Sequence, residues 1–186
     1  MGRWEPNARG RLEQAALELY IERGFEQTTV AEIAKRAGLT ERTFFRHFAD
    51  KREVLFSNSL QELLVTSVAG APDSVAPIDA VVAAFEGAGA LLQERREYSL
   101  QRQAVIAANP GLQERELIKL ASIASALADT LRRRGLTDPA ASLTAEAGIA
   151  VFKIAFERWI SETNQRDFPR LIRESLDELK AVTAGK

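Results

Sequence analysis

The sequence predicts an all-α fold of about nine helices, on three observations. Apolar residues recur at steps of three and four, as in Leu12, Ala15, Ala16, Leu19 and Tyr20, and again in Leu117, Leu120, Ala121, Ala124, Leu127, Ala128 and Leu131. No comparable run alternates with period two, and no Asn-Gly or Asp-Gly pair marks a hairpin. Glycine, proline and Asp or Asn signals then cut the helical pattern into segments of ordinary length.

Taken in order, Gly24 ends the first helix, and Thr29-Val-Ala-Glu32 forms a capping box that opens a short second helix at Val30. That helix buries Val30, Ile33, Ala34 and Ala37 and stops at Gly38, which admits a left-handed turn. Leu39 plugs the corner, and Thr40 caps a third helix whose inner side is Phe44 and Phe48. Asp50 caps a fourth, fading into Ala69-Gly70-Ala71-Pro72-Asp73-Ser74. Pro77 opens a helix to about Arg96, Asn109-Pro110 separates two more, and Gly135 closes the longer of these. Asp138-Pro139 reads as an N-cap with proline at the first helical position, and Asp167-Phe168-Pro169 opens the last helix. A boundary near residue 56 divides the chain into a three-helix N-terminal domain, 1–56, and a helical remainder, 57–186.

The chain has 186 residues, 46% apolar and 27% charged, with no cysteine and one histidine. A disulfide framework, a thiolate zinc site, an iron–sulfur cluster and a cysteine nucleophile are thereby excluded. With His47 alone, neither a two-histidine metal site nor a catalytic triad can be completed. We expect no metal, no cofactor and no enzymatic activity. The opening residues carry no apolar stretch of the signal-peptide kind, and no window approaches the roughly 18 apolar residues of a membrane span. The expectation is a cytoplasmic protein without a membrane partner.

Charge is unevenly placed. Between Lys35 and Arg52 stand six basic residues (Lys35, Arg36, Arg42, Arg46, Lys51, Arg52) and two acidic ones (Glu41, Asp50), on a chain whose net charge is −1. A basic element on an acidic body suits the neutralisation of phosphates, which releases counterions. The same eighteen positions hold the turn through Ala37-Gly38-Leu39, so two short helices with apolar inner faces make a helix-turn-helix. Its outer face carries Glu41, Arg42, Thr43, Arg46 and His47, groups able to reach base edges and phosphates.

The stretch from Leu12 to Leu55 resembles the N-terminal domain of the TetR family of transcriptional regulators. The residues that carry the likeness are Gly24-Phe25, Thr28-Thr29-Val30, Ile33-Ala34-Lys35-Arg36-Ala37-Gly38-Leu39 and Thr43-Phe44-Phe45-Arg46-His47-Phe48-Ala49-Asp50-Lys51-Arg52-Glu53-Val54-Leu55. The resemblance implies that the third helix enters the major groove of a near-palindromic double-stranded operator, with Thr40, Glu41, Arg42, Thr43 and Arg46 near bases and adjoining backbone. It implies phosphate contacts for Thr28, Thr29, His47 and Lys51. Phe45 departs from the commoner tyrosine, losing a hydroxyl while keeping a ring that can pack on sugar. Arg3, Arg9 and Arg11 form a basic lead-in.

The resemblance further implies a small-molecule effector, bound in the C-terminal helices, and a homodimer. Leu63, Phe85, Tyr98, Gln101, Val105, Phe152, Phe156 and Trp159 are the candidate effector residues, mostly large apolar side chains with Gln101 as an uncharged polar group, and the absence of an acid–base cluster or cofactor motif points to a largely apolar ligand. The expected dimer surface is Ala155 with Ile172, Ser175, Leu176 and Leu179, small and apolar residues on the last two helices. The function implied is a ligand-responsive transcriptional regulator, most often a repressor.

Overall fold

The computed structural model describes residues 7–161 and 165–185. Among them are nine α-helices, one 3-10 turn and no strand: α1 (Ala8–Arg23), α2 (Val30–Arg36), α3 (Glu41–His47), η1 (Glu53–Leu55), α4 (Ser59–Ala69), α5 (Pro77–Glu94), α6 (Arg96–Ala107), α7 (Pro110–Arg133), α8 (Asp138–Ile160) and α9 (Phe168–Thr183). They gather into two units, one of Met1–Ser57 with Glu97–Leu117 and one of Asn58–Arg96 with Ile118–Lys186.

In the first unit, α1 lays Leu12, Leu19 and Tyr20 against Ile33 of α2 and Phe44 of α3, with Val54, Leu55 and Phe56 closing the same core. Each fully buried side chain of this size contributes about 1.5–3 kcal/mol relative to exposure. The α2–α3 turn follows from Gly38, whose φ of 66° is the left-handed conformation open to glycine, while Leu39 N–H bonds back to Ala34 at 2.8 Å. Ile106 and Leu112 complete this core from residues far along the chain.

The fourth helix does not run from Asp50. Asp50 does cap a turn, accepting from the N–H groups of Arg52 and Glu53 at 2.7 and 3.2 Å, but only η1 follows. Burial of Leu55 and Phe56 takes precedence over helical continuity: Phe56, 4% exposed, leaves the helical region at φ −126°, ψ 64°, and α4 starts afresh at Ser59. Asp138 is likewise the first helical residue rather than the cap, which is Thr137.

In the second unit, α5, α8 and α9 pack around an aromatic stack. The rings of Trp159 and Phe168 stand 4.6 Å apart, and those of Phe85 and Phe152 stand 4.9 Å apart. Gln93 Oε1 accepts from Trp159 Nε1 at 2.8 Å and from Phe168 N–H at 2.9 Å, which satisfies the buried indole and one orphan donor of the α9 start. Gly148 lets α8 approach α5, since a Cβ there would overlap Val81. Arg173 of α9 makes a forked pair with Glu86 of α5 at 2.6 and 2.8 Å. By length and composition alone α8 is long and apolar enough to cross a membrane. Its Phe152, Ala155 and Trp159 are used in this core.

Candidate nucleic-acid interface

Both motif helices are capped by their own side chains. Thr29 Oγ1 accepts from Glu32 N–H at 3.3 Å while the Glu32 carboxylate accepts from Thr29 N–H at 2.9 Å, the reciprocal arrangement expected of the capping box. Thr40 Oγ1 accepts from Thr43 N–H at 3.2 Å and lies 3.1 Å from Thr43 Oγ1. Phe44 is fully buried beneath α3. Glu41, Arg42, Phe45 and Arg46 are left on one exposed side of the helix, a grouping set by the helical repeat. Phe45 is 55% exposed, its ring edge-on to Phe44 at 5.4 Å.

The structure divides the basic residues of this region into two sets. Arg36 forks onto Glu22 at 2.9 and 2.8 Å, and Arg52 pairs with Asp50 at 2.8 Å. Lys51 donates to three carbonyls, those of Phe25, Glu26 and Thr28, at 2.9, 3.2 and 3.0 Å, with its ammonium 4.4 Å from the Phe25 ring centre. Lys35, Arg42 and Arg46 are exposed and, among the described residues, make no side-chain hydrogen bond or ion pair. Lys35 is one of six basic residues in the run from Lys35 to Arg52, and local sequence does not distinguish it from Arg36. Only the commitment of Arg36 to Glu22, seen in the fold, sets the two neighbours apart.

Thr28, Arg9 and Arg11 have hydrogen-bond partners within the protein. Thr28 is 1% exposed and its hydroxyl bonds Gly24 O at 2.9 Å and Leu19 O at 3.4 Å, so that side chain faces the interior. Arg9 bonds Glu13 and Ser57 at 3.2 and 3.1 Å, Arg11 bonds Ala37 O, and Arg3 lies outside the described residues. His47 is half-buried, and its Nε2 is enclosed without a hydrogen-bond partner among the described residues. Burial, together with Arg46 and Arg9, holds its pKa below the ordinary histidine value, which favours the neutral ring. Tyr20 O–H donates to Lys51 O at 2.6 Å, and burial pushes its phenol well above the usual range, keeping it a donor.

The family model for bacterial regulatory proteins of the tetR family matches residues 13–57, and the model for the MftR C-terminal domain matches residues 75–184. The chain belongs to the TetR family of transcriptional regulators. It is 27% identical over 171 residues to MftR of Mycobacterium tuberculosis, a protein named for transcriptional regulation of mycofactocin biosynthesis, covering 87% of this chain and 84% of that one. It is 38% identical over 79 residues to the HTH-type transcriptional regulator TcmR of Streptomyces glaucescens, a match that spans 41% of this chain and 35% of that relative. The structure of SmeT, repressor of a Stenotrophomonas maltophilia efflux pump, in complex with triclosan, shares the fold with a TM-score of 0.63 and 20% identity, over 94% of this chain and 90% of that one.

TetR-family members carry a helical C-terminal region, and here the candidate effector residues fall in both units. Tyr98, Gln101 and Val105 belong to the first, where Val105 joins the core and Tyr98 packs on it. Leu63, Phe85, Phe152, Phe156 and Trp159 belong to the second. Phe85 and Trp159 are fully buried there, Phe152 is 8% exposed, Phe156 is half-buried and Leu63 is 38% exposed.

The candidate dimer residues also separate. Ala155, Ile172 and Leu176 are 0% exposed within this one chain, so no partner can bury them further. Ser175 is 6% exposed and accepts from Arg158 at 3.2 Å. Only Leu179 of the five lies half-open, on a groove of about 750 Å³ between α8 and α9 that Ala150, Ile154 and Val182 also line. Ile154 and Val182, 52% and 59% exposed, are the apolar residues that the periodicity did not single out. A count of apolar positions on α9 shows a stripe but not where its inner half ends.

Proposed function

We propose that this protein is a cytoplasmic, homodimeric repressor that holds a near-palindromic operator through α3 and releases it when a small, largely apolar effector binds its C-terminal helices. The observation that carries the reading is the outward side of α3: Arg42 and Arg46, both exposed and uncommitted, flank Phe45 on a helix whose caps and core are complete. Arginine in this setting reads guanine O6 and N7 through its planar fork, and Phe45 offers an apolar face for a thymine methyl or a sugar. Two copies joined through the groove lined by Ile154, Leu179 and Val182 would present two such helices to half-sites about one helical turn apart.

The aromatic interior around Phe152 and Phe156 supports an apolar effector, since these are the less enclosed members of the stack. The triclosan complex of SmeT supports the same reading by analogy of fold. Footprinting on the DNA beside the protein's own coding sequence tests the core of it. Protection of a two-fold symmetric site by the unaltered protein, lost with Arg42→Ala plus Arg46→Ala, is expected. Absence of any protected site at low salt overturns it. A panel of apolar compounds including triclosan, scored for release of that footprint, tests the effector. Release by polar compounds alone would turn that part of the reading.

A further inference from the structure

Residues 53–56 follow the recognition helix closely in sequence, yet they are gripped by side chains of α6 and the start of α7, within the same unit. Arg102 Nε donates to Leu55 O at 2.7 Å, a carbonyl at the end of η1. Arg115 forks onto the Glu53 carboxylate, with Nε and Nη2 at 2.5 and 2.8 Å from its two oxygens. The ring of Phe56 lies under both cations, 5.0 Å from the Arg102 guanidinium carbon and 5.8 Å from that of Arg115. Arg102 is balanced by Glu116 at 3.2 Å, so the cluster holds two cations and two anions, each side chain only 21–26% exposed. Its charges are spent internally, unlike those of Arg42 and Arg46.

We infer that Arg102 and Arg115 are positioning residues for DNA binding: by clamping Glu53, Leu55 and Phe56 they set the angle at which α3 is presented, without touching DNA. The physical argument runs through connectivity. Phe48 ends α3 and is buried, Asp50 caps the turn that begins η1, and Tyr20 pins Lys51 O, so the path from α3 to Leu55 has little slack. Where η1 is held therefore decides where α3 points. Charge-assisted forked bonds in a mostly water-excluded cluster fix direction as well as distance, which a lysine ammonium cannot reproduce.

The inference rests on the DNA-binding reading above, and the test separates the two. The full-length protein selects duplexes from a random-sequence library, and the selected duplex is the probe. Arg115→Lys keeps the charge and removes the fork. It is expected to weaken binding about tenfold, a coupling of ordinary size for one contact network, to leave the salt slope unchanged, and to blunt discrimination between the selected half-site spacing and one lengthened by a base pair. Glu53→Gln should behave alike, and the double variant should lose no more than either single one. Circular dichroism establishes that each variant is folded. If Arg115→Lys does not fold, Glu53→Gln and Arg102→Lys carry the same measurements. Wild-type affinity and spacing preference in the folded variants, or losses that add in the double variant, overturn the inference. Failure of the unaltered protein to select any duplex overturns the DNA-binding reading instead.

Discussion

Lys51 Nζ lies 3.0 Å from the carbonyl oxygen of Thr28, and the same ammonium satisfies Phe25 O and Glu26 O. A single cation thus closes the turn between α1 and α2 from a position beyond α3. Its three donors are matched by three acceptors, which leaves little of the ammonium for a phosphate.

Lys51→Met is accordingly expected to lower stability by about 1.5–3 kcal/mol, the usual contribution of hydrogen bonds to a charged group. Under conditions where the variant is folded, its affinity for DNA should show the same salt slope as the unaltered protein. Urea unfolding and a salt titration of binding check both halves. A slope reduced by about one unit would instead assign Lys51 to a phosphate.

If Arg42 reads a base edge as proposed, Arg42→Ala should relax discrimination at one base position in each half-site, by about 1–3 kcal/mol, while the helix stays capped by Thr40. Affinities for duplexes changed at each position in turn measure this. Equal losses on the selected and on random duplexes would place Arg42 on the backbone.

Ile154→Glu together with Val182→Glu should give a folded monomer, because both residues are more than half exposed in the single chain and line the α8–α9 groove. Leu176→Glu should unfold the second unit instead, since a carboxylate at a 0% exposed position has no partner there. Sedimentation and circular dichroism distinguish the two outcomes. A folded dimer from the double variant would move the interface elsewhere.

His47 makes stability depend on pH. Its folded pKa lies below the unfolded value of about 6.5, so the unfolded chain binds more protons in that window. The contribution is therefore present above about pH 6.5 and is lost as the pH falls toward the folded pKa, where protonation would add charge beside Arg9 and Arg46. His47→Gln should flatten the difference in unfolding midpoint between about pH 7.5 and about pH 5.5. An acid-induced loss as large in the variant as in the unaltered protein would remove His47 from the account.

The sequence by itself determined the features that lie within one or two helical turns: the capping box at Thr29 and Glu32, the glycine turn at Gly38, the Thr40 cap and the outward grouping of Glu41, Arg42 and Arg46. These are short-range because a helix bonds each residue to its neighbour four positions back, and side-chain caps reach no further. Only the tertiary structure decided which basic residues remain available. Lys51 is spent on acceptors 23 to 26 positions away, Arg36 on Glu22 at 14 and Arg115 on Glu53 at 62, and no local pattern records those distances. The break at Phe56 and the burial of Ile172 and Leu176 have the same cause. Periodicity shows that a face is apolar, whereas what covers that face depends on elements brought alongside from elsewhere in the chain.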